Sequence, residues 1–124
     1  MRAHHFYEEN KRAQSAFEKI KKGDFEGFLY DVNESGRSSE VYLQNIYSVK
    51  TPHMQSIEIA LMMSRRLLRR CGSVRVHGGG FAGTITAVVP IDMADEYKNL
   101  MDAVVGYGSA KEYKIRKYGV YRLG

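Results

Sequence analysis

The first segment of the chain has the hydrophobic spacing of an amphipathic helix. Between residues 2 and about 22, the apolar positions among the charged ones are Phe6, Ala13, Phe17 and Ile20. Side chains three, four or seven residues apart project from similar sides of a helix, so these four form one stripe. The following segment KKGD predicts the helix end, because lysines suit a helix C-terminus and a glycine terminates it.

A second, shorter helix is predicted to begin after Asp24, since aspartate is a residue type that caps helix N-termini. Its inner stripe is expected to consist of Phe25, Phe28, Leu29 and Val32. We expect this helix to end near Gly36, because glycine weakens a helical backbone. Ser38 or Ser39 would then cap a further short helix that runs through Leu43.

The clearest helical pattern begins at Thr51-Pro52, which fits an N-cap followed by proline at the first helical position. The helix is predicted to run to about residue 70, with Gly72 as its terminator. Its apolar side is expected to comprise Met54, Ile57, Ala60, Leu61, Ser64 and Leu68. A second side carries Arg65, Arg66, Arg69 and Arg70. We interpret these arginines as a solvated face near a helix C-terminus, with phosphate or nucleic-acid binding as the alternative.

After residue 72 the hydrophobic pattern changes to strict alternation, which is typical of strands. Val74 and Val76 would lie on one face of the first strand, and Arg75 and His77 on the other. The second strand would share a face among Ile85, Ala87 and Val89.

The remaining residues predict one more helix and a strand-forming tail. Residues 93–105 return to helical spacing, with the inner positions Met93, Tyr97, Leu100, Met101 and Val104. The alternation at Tyr113 and Ile115 predicts one or two short strands near Gly119.

Together these elements predict an α+β fold, in which helices pack on one face of a small antiparallel sheet. The whole chain, residues 1–124, is expected to form a single domain. The opposite face of the sheet would carry Arg75, His77, Lys114 and Arg116. We expect that polar face to meet water or an anion.

Composition and charge exclude some classes of protein but do not indicate a specific function. A net charge of +5 favours anionic partners only weakly. No apolar run approaches the roughly 20 residues that span a bilayer, and the first ten residues lack the apolar core of a signal peptide. Cys71 is the single cysteine, so no intramolecular disulfide can form. These features lead us to expect a cytoplasmic protein.

The glycine-rich stretch RVHGGGFAGTITAVVP, residues 75–90, is the least ordinary part of the sequence. Gly78, Gly80 and Gly83 satisfy G-x-G-x-x-G, but a dinucleotide site needs a helix after that motif, and here a strand follows. A glycine-rich hairpin connection is one explanation. The other is a backbone that approaches a phosphate, or a loop that holds one, because glycines leave amide groups unshielded.

The stretch RVHGGGFAGTI resembles the third signature motif of the GHMP kinases, and in particular the GGGFGG loop of galactokinases. Residues 2–12 resemble the family's RA-x-H-x-x-x-E-x-x-R pattern, and residues 34–39 its Glu-Ser-Gly-x-Ser-Ser run. The segment IRKYGVYRL resembles the family's closing strand. The chain departs from the family at His77, where many relatives have a small hydroxyl residue, and at Ala82, which replaces a glycine.

The resemblance implies a ferredoxin-like GHMP kinase C-terminal domain from an enzyme that uses ATP and Mg²⁺ to phosphorylate galactose. The family's P-x-G-x-G-L-x-S-S-like phosphate loop, catalytic aspartate and sugar-binding segment belong to an N-terminal kinase domain, and this sequence contains none of them. We therefore expect no catalytic residue, no bound cofactor or metal and no activity in this chain alone. Residues implied to support the partner domain's phosphate loop are Gly78, Gly79, Gly80, Phe81 and Gly83.

An isolated domain of this kind would expose an apolar docking surface, which makes a homodimer plausible. His77 borders the glycine stretch and is a candidate ligand neighbour, although an ordinary strand position is the preferred interpretation. His4 and His5 diverge on a helix and predict no metal site, and we interpret Cys71 as structural. The alternative function is a non-catalytic α+β module whose basic sheet face binds an anion or, less expected here, nucleic acid.

Overall fold

The computed structural model describes residues 1–81, 83–115 and 117. Its elements are α1 (Arg2–Lys21), α2 (Phe25–Leu43), α3 (Ser56–Leu68), β1 (Ser73–Val76), β2 (Ile85–Val88), a 3-10 turn (Ile91–Met93) and α4 (Ala94–Val105). The two strands pair antiparallel, with Ser73 opposite Val88 and Val76 opposite Ile85. The predicted α+β class, a small antiparallel sheet with helices, is confirmed. Within the described part of the chain, no helix is long and apolar enough to span a bilayer.

The hydrophobic core lies between one face of the sheet and the helices α3 and α4. Val74 and Val76 are each 1% exposed, and they meet the predicted inner face of α3, which buries Ile57, Ala60, Leu61, Ser64 and Leu68. Helix α4 contributes Tyr97 and Met101, while Ile85, Ala87 and Val89 pack against the core from β2 and its end. The predicted alternation of both strands is therefore confirmed.

A buried polar pair connects α3 to α4 inside this core. The Ser64 hydroxyl lies 2.7 Å from the carbonyl oxygen of Ala60 and 2.8 Å from the Tyr97 hydroxyl. Burial raises the pKa of Tyr97, so its hydroxyl stays neutral at physiological pH. The pair thus satisfies two polar groups that would otherwise be costly to bury.

Helix α2 is one continuous helix, and the predicted break near Gly36 is wrong. Asp24 caps it as predicted, accepting a hydrogen bond from the Gly27 amide at 2.8 Å. Gly36 lies in the middle of the helix, where a Cβ atom would stand 2.9 Å from the Cβ of Arg75 and 3.1 Å from the Val74 carbonyl oxygen. Glycine is used here for close approach of helix and strand rather than to stop a helix. Ser38 and Ser39 are consequently buried helical residues and not caps.

The side chain of Asn33 also joins α2 to β1. Its amide group donates to the carbonyl oxygen of Gly72 at 3.2 Å, and its oxygen accepts from the amide of Val74 at 3.1 Å. The Gly72 carbonyl, just before β1, and the Val74 amide within it do not belong to the β1–β2 ladder. Helix α2 therefore covers the outer edge of β1, which would otherwise stay unpaired.

Both boundaries of α3 differ from the predictions. Thr51 does not cap α3: the Thr51 amide donates to the Ser48 carbonyl and the Met54 amide to the Thr51 carbonyl, so this segment turns before the helix begins at Ser56. Met54 lies outside the helix and is 61% exposed. The helix ends at Leu68, before the predicted terminator Gly72.

The tail predictions fall partly outside the described residues. Tyr113 and Ile115 are not in a strand and are 84% and 102% exposed, because no neighbouring strand in the described part of the chain pairs with them. Gly119, Arg116 and most of the segment that resembles the family's closing strand lie outside the described residues, as does Ala82.

Helix α1 packs against α2 through its polar side. His5 lies 2.9 Å from the Ser38 hydroxyl, and the Lys19 ammonium lies 2.8 Å from the Asp31 carboxylate. Glu9 accepts hydrogen bonds from Ser35 and from Arg75, the latter at 3.2 Å. The predicted helix is confirmed, yet no residue of α1 is fully buried.

Glu9 is the centre of a charged cluster that joins α1, α2 and β1. Burial raises its pKa, but the Ser35 hydrogen bond and the positive charges of Arg75 and Arg12 outweigh that effect. The pKa of Glu9 is therefore lower than that of an ordinary glutamate, and the carboxylate is ionised in the folded protein at neutral pH.

We expect Gly36→Ala to lower the free energy of unfolding by about 1–2 kcal/mol, and Gly36→Val to lower it further. In an unobstructed helix, the glycine-to-alanine change stabilises by roughly 0.5–1 kcal/mol. The sign of the change in unfolding free energy therefore distinguishes close packing against β1 from the ordinary helix propensity of alanine. Urea unfolding monitored by circular dichroism measures it. A stabilised Gly36→Ala variant would show that α2 does not press against β1 at this position.

We expect the stability of the protein to fall in acid partly through Glu9. Its pKa is lower folded than unfolded, so ionised Glu9 stabilises the fold above the unfolded value of about 4.3, and this contribution disappears as pH falls through the folded value. Glu9→Gln should flatten that pH dependence, and the two proteins should differ most near neutral pH. Glu26→Gln, at an exposed position of α2, controls for the loss of one surface charge; parallel pH profiles for wild type and Glu9→Gln would contradict the assignment.

Candidate functional site

The glycine stretch forms the connection between β1 and β2. The His77 amide donates to the Thr84 carbonyl and the Gly83 amide to the Gly80 carbonyl, both at 3.0 Å. Gly78, Gly80 and Gly83 have φ values of 60°, 89° and 80°, a region that strongly favours glycine. Local turn geometry thus explains three of the four glycines in the connection.

The inner side of this loop is anchored by Asn45, a residue that the sequence analysis did not single out. Its side-chain amide donates to the Gly79 carbonyl at 3.2 Å, and its oxygen accepts from the Ser39 hydroxyl at 3.1 Å. Gly80 is buried, and a Cβ atom there would overlap the Asn45 carbonyl oxygen. Asn45 follows Gln44, which ends α2 with a φ of 53°, and no sequence pattern marked that turn as part of the loop's support.

The outer side of the loop faces an open groove of ≈ 250 Å³. The groove is lined by Arg2, Leu43, Asn45, Gly79 and Phe81. Phe81 is 68% exposed, and a Cβ atom on Gly79 would meet nothing within 4 Å. Arg2 contributes a positive charge to the lining of this groove, and a positive charge is suited to an anionic ligand such as a phosphate group.

The predicted site residues therefore divide between two sides of the loop. Gly79 and Phe81 line the groove, and Gly78 and Gly83 are exposed beside it. Gly80 lies on the inner side against Asn45.

His77 is exposed, and its ring Nδ1 lies 2.9 Å from the Thr86 hydroxyl on the neighbouring strand. That contact satisfies one ring nitrogen within the sheet itself. His77 is not among the residues that line the groove, and its role beside a ligand stays a prediction.

Arg75 does not extend freely from the polar face of the sheet. Its guanidinium donates to Glu9 and Ser35, so its positive charge is largely neutralised within the domain. Lys114 is exposed and lies outside any strand. Among the described residues, the polar face of the sheet therefore offers little unpaired positive charge, and anion binding by that face stays a prediction.

His4, His5 and Arg65, three of the other candidate residues, have ordinary structural partners. The His4 ring packs edge-on against Tyr42 with a centroid distance of 5.0 Å, while His5 contacts Ser38. Arg65 forms an ion pair with Glu40 at 2.6 Å. Among the described residues, no group of three His, Cys, Asp or Glu side chains is arranged to hold a metal ion.

The contrast between the two sides of the loop gives a matched pair of variants. We expect Gly80→Ala to destabilise the protein by about 2 kcal/mol or more, because the added methyl group overlaps Asn45 and the backbone conformation is unfavourable. Gly79→Ala should leave the melting temperature almost unchanged. Equal melting temperatures for the two variants would contradict the anchoring of Gly80 against Asn45.

Comparison with known proteins relates the chain to one class of enzyme. It is 26% identical over 100 residues to the galactokinase of Mannheimia succiniciproducens, and 26% identical over 100 residues to the galactokinase of Haemophilus influenzae. No protein-family model and no solved structure matches it.

Each of the two alignments covers 81% of this chain and 24% of the galactokinase. The chain thus spans about a quarter of the length of the curated relatives that it matches. The chain is therefore similar to a part of these galactokinases, and the similarity supports a galactokinase-related domain.

Proposed function

We propose that this chain is the C-terminal domain of a galactokinase-like sugar kinase. The observation that carries the proposal is the similarity to a quarter of two galactokinases, combined with the GGGFGG-like loop between two antiparallel strands. The loop would lie at the phosphate end of a nucleotide cleft that an N-terminal kinase domain completes.

The geometry of the loop supports this role. Asn45 holds its inner side, which reduces the conformational freedom that four glycines would otherwise have. On the outer side, Gly79 is exposed and lines a groove to which Arg2 also contributes a positive charge. A held backbone can support a phosphate-binding segment without losing entropy when that segment docks.

The proposal implies two cofactors, ATP and Mg²⁺, and the groove suits only the phosphate groups of ATP. Phosphoryl transfer depends on positioning and on neutralising charge with cations, usually including Mg²⁺. Arg2 and the loop backbone suit the phosphate groups of ATP. Among the described residues, no carboxylate lines the groove, so Mg²⁺ would be held by the other domain and by the nucleotide. This chain's part is to position the phosphates, and galactose would bind outside it.

We expect the purified chain to show no galactose-dependent ADP release in a coupled assay. Addition of the Haemophilus influenzae galactokinase expressed without its matching segment should recover phosphorylation of galactose. Robust turnover by the chain alone would contradict catalytic incompetence. A chain that does not bind the truncated enzyme would contradict the domain assignment, and salt-sensitive binding to nucleic acid would instead favour the alternative function.

Gly79→Val tests whether the outer side of the loop matters. In the recombined enzyme, we expect this change to lower phosphorylation at least about tenfold, since a misplaced contact near transferred phosphate is costly. The melting temperature of the chain should stay unchanged. Ile91→Ala, at a position that is 96% exposed, is the neutral control, and equal activity of the two variants would exclude the loop from the cleft.

A reading frame upstream of the Met1 codon offers an independent test. If that DNA encodes a P-x-G-x-G-L-x-S-S-like loop in frame, the domain belongs to a complete kinase whose activity with galactose can be assayed directly.

A further inference from the structure

The side of α1 that packs against α2 is polar along nearly its whole length. Residues at three- and four-residue spacing on this side are half-buried, and none of them is fully buried. They are His5, Glu9, Arg12, Ala16 and Lys19. Ala16 is the one apolar residue of this set, and no residue of α1 belongs to the hydrophobic core of the described chain.

The groups that face this side from α2 and β1 are polar as well. Asp31, Ser35 and Ser38 are buried on α2, and they contact Lys19, Glu9 and His5, respectively. Water can solvate each of these groups when the two helices separate, so burial of apolar surface contributes little to the docking of α1. Ion pairs that remain partly exposed also stabilise a contact only modestly. The docked position of α1 is therefore held weakly compared with the core.

The first turn of α1 forms one wall of the groove at the glycine loop. Arg2 is the one residue of α1 that lines this groove, where it lies with Asn45, Gly79 and Phe81. No side chain caps the helix at this end, and its first turn holds no acidic residue. The positive charge of Arg2 also opposes the helix dipole there. The groove thus depends on the least stabilised turn of a weakly held helix.

The connection between α1 and α2 can serve as a hinge. Only the residues from Lys22 to Asp24 separate the two helices. Gly23 has a φ of 74°, and a Cβ atom there would meet nothing within 4 Å. Changes of backbone angle in a short connection of this kind can move one helix relative to the other without disturbing either.

We propose that α1 is a movable wall of the groove, which swings away from α2 about the Lys22–Asp24 connection while the core stays folded, and thereby takes Arg2 away from the glycine loop. This inference does not depend on the proposed kinase function. The opening belongs to the local, low-energy class of unfolding events. Any anion that is held by Arg2 would favour the closed position, because it binds that position better.

Cysteine labelling of the full chain tests the opening. In a Cys71→Ser background, Ser38→Cys places a thiol on α2 under α1, and Ser64→Cys places one in the core between α3 and α4. Ser38 is 7% exposed and Ser64 is 0% exposed. We expect a thiol reagent to modify the Ser38→Cys chain at least about tenfold faster, because that thiol does not require global unfolding. Equal rates would overturn the proposal.

The dependence of labelling on urea distinguishes local opening from global unfolding. Its steepness scales with the surface that the opening exposes. At urea concentrations below the unfolding transition, labelling of the Ser38→Cys chain should hardly change, whereas labelling of the Ser64→Cys chain should rise steeply. Parallel urea dependences would show that both thiols react only in the unfolded chain, and the proposal would be wrong.

Glu9→Gln tests whether the polar contacts hold the wall closed. In the Ser38→Cys background we expect this change to speed labelling at least about fivefold, because hydrogen bonds to a charged group are lost. Glu18→Gln is the matched control, since Glu18 lies on the same helix, is exposed and contacts only Lys21 among the described residues. If the two changes have the same effect, or neither has any, these contacts do not hold α1 and the proposal fails.

Hydrogen exchange of the unmodified chain gives a test that needs no variant. We expect the backbone amides in the middle of α1, residues 9–16, to be at least about tenfold less protected than those in the middle of α3. Nuclear magnetic resonance measures both sets in one sample. Equal protection of the two helices would mean that α1 moves only when the whole domain unfolds, which would overturn the proposal.

Discussion

The contact between α2 and β1 is the constraint on which the rest of the structure depends. Gly36 lets the helix backbone approach the strand closely, and Asn33 satisfies the outer edge of β1 with two hydrogen bonds. Once β1 is held there, Val74 and Val76 point to the core and Arg75 points to Glu9. One strand thereby joins a mainly polar helix pair, α1 and α2, to an apolar half built from β2, α3 and α4.

The same arrangement shapes the glycine loop. Because α2 ends close to the far end of β1, the Gln44–Asn45 turn meets the loop and holds its inner side. The outer side remains open next to Arg2, the first residue of α1. The loop is thus held from within the domain and accessible from outside, the two features on which the proposed support of a phosphate-binding segment rests.

In helix α1, the apolar side of an amphipathic pattern is not the side that packs against the rest of the protein. Its apolar stripe is clear in the sequence, but α2 presents Asp31, Ser35 and Ser38 at the contact, and these select the polar side of α1. The apolar stripe therefore remains outside, where Phe6, Phe17 and Ile20 stay exposed. Charge complementarity, and not burial of the apolar stripe, determines how α1 packs against α2.

The sequence by itself determined the order of elements, the alternating faces of both strands, the inner face of α3 and the position of the glycine loop, because local periodicity and turn chemistry carry that information. It misplaced the end of α2 and the start of α3, since a glycine has the same local signature whether it ends a helix or permits a close contact, and a Thr-Pro pair has the same signature whether it starts a helix or forms a turn. Only the tertiary structure decided that Gly36 serves close packing, that Asn45 anchors the loop and that α1 faces inward with its charges. Each of these depends on residues distant in the chain, whose proximity no local pattern encodes.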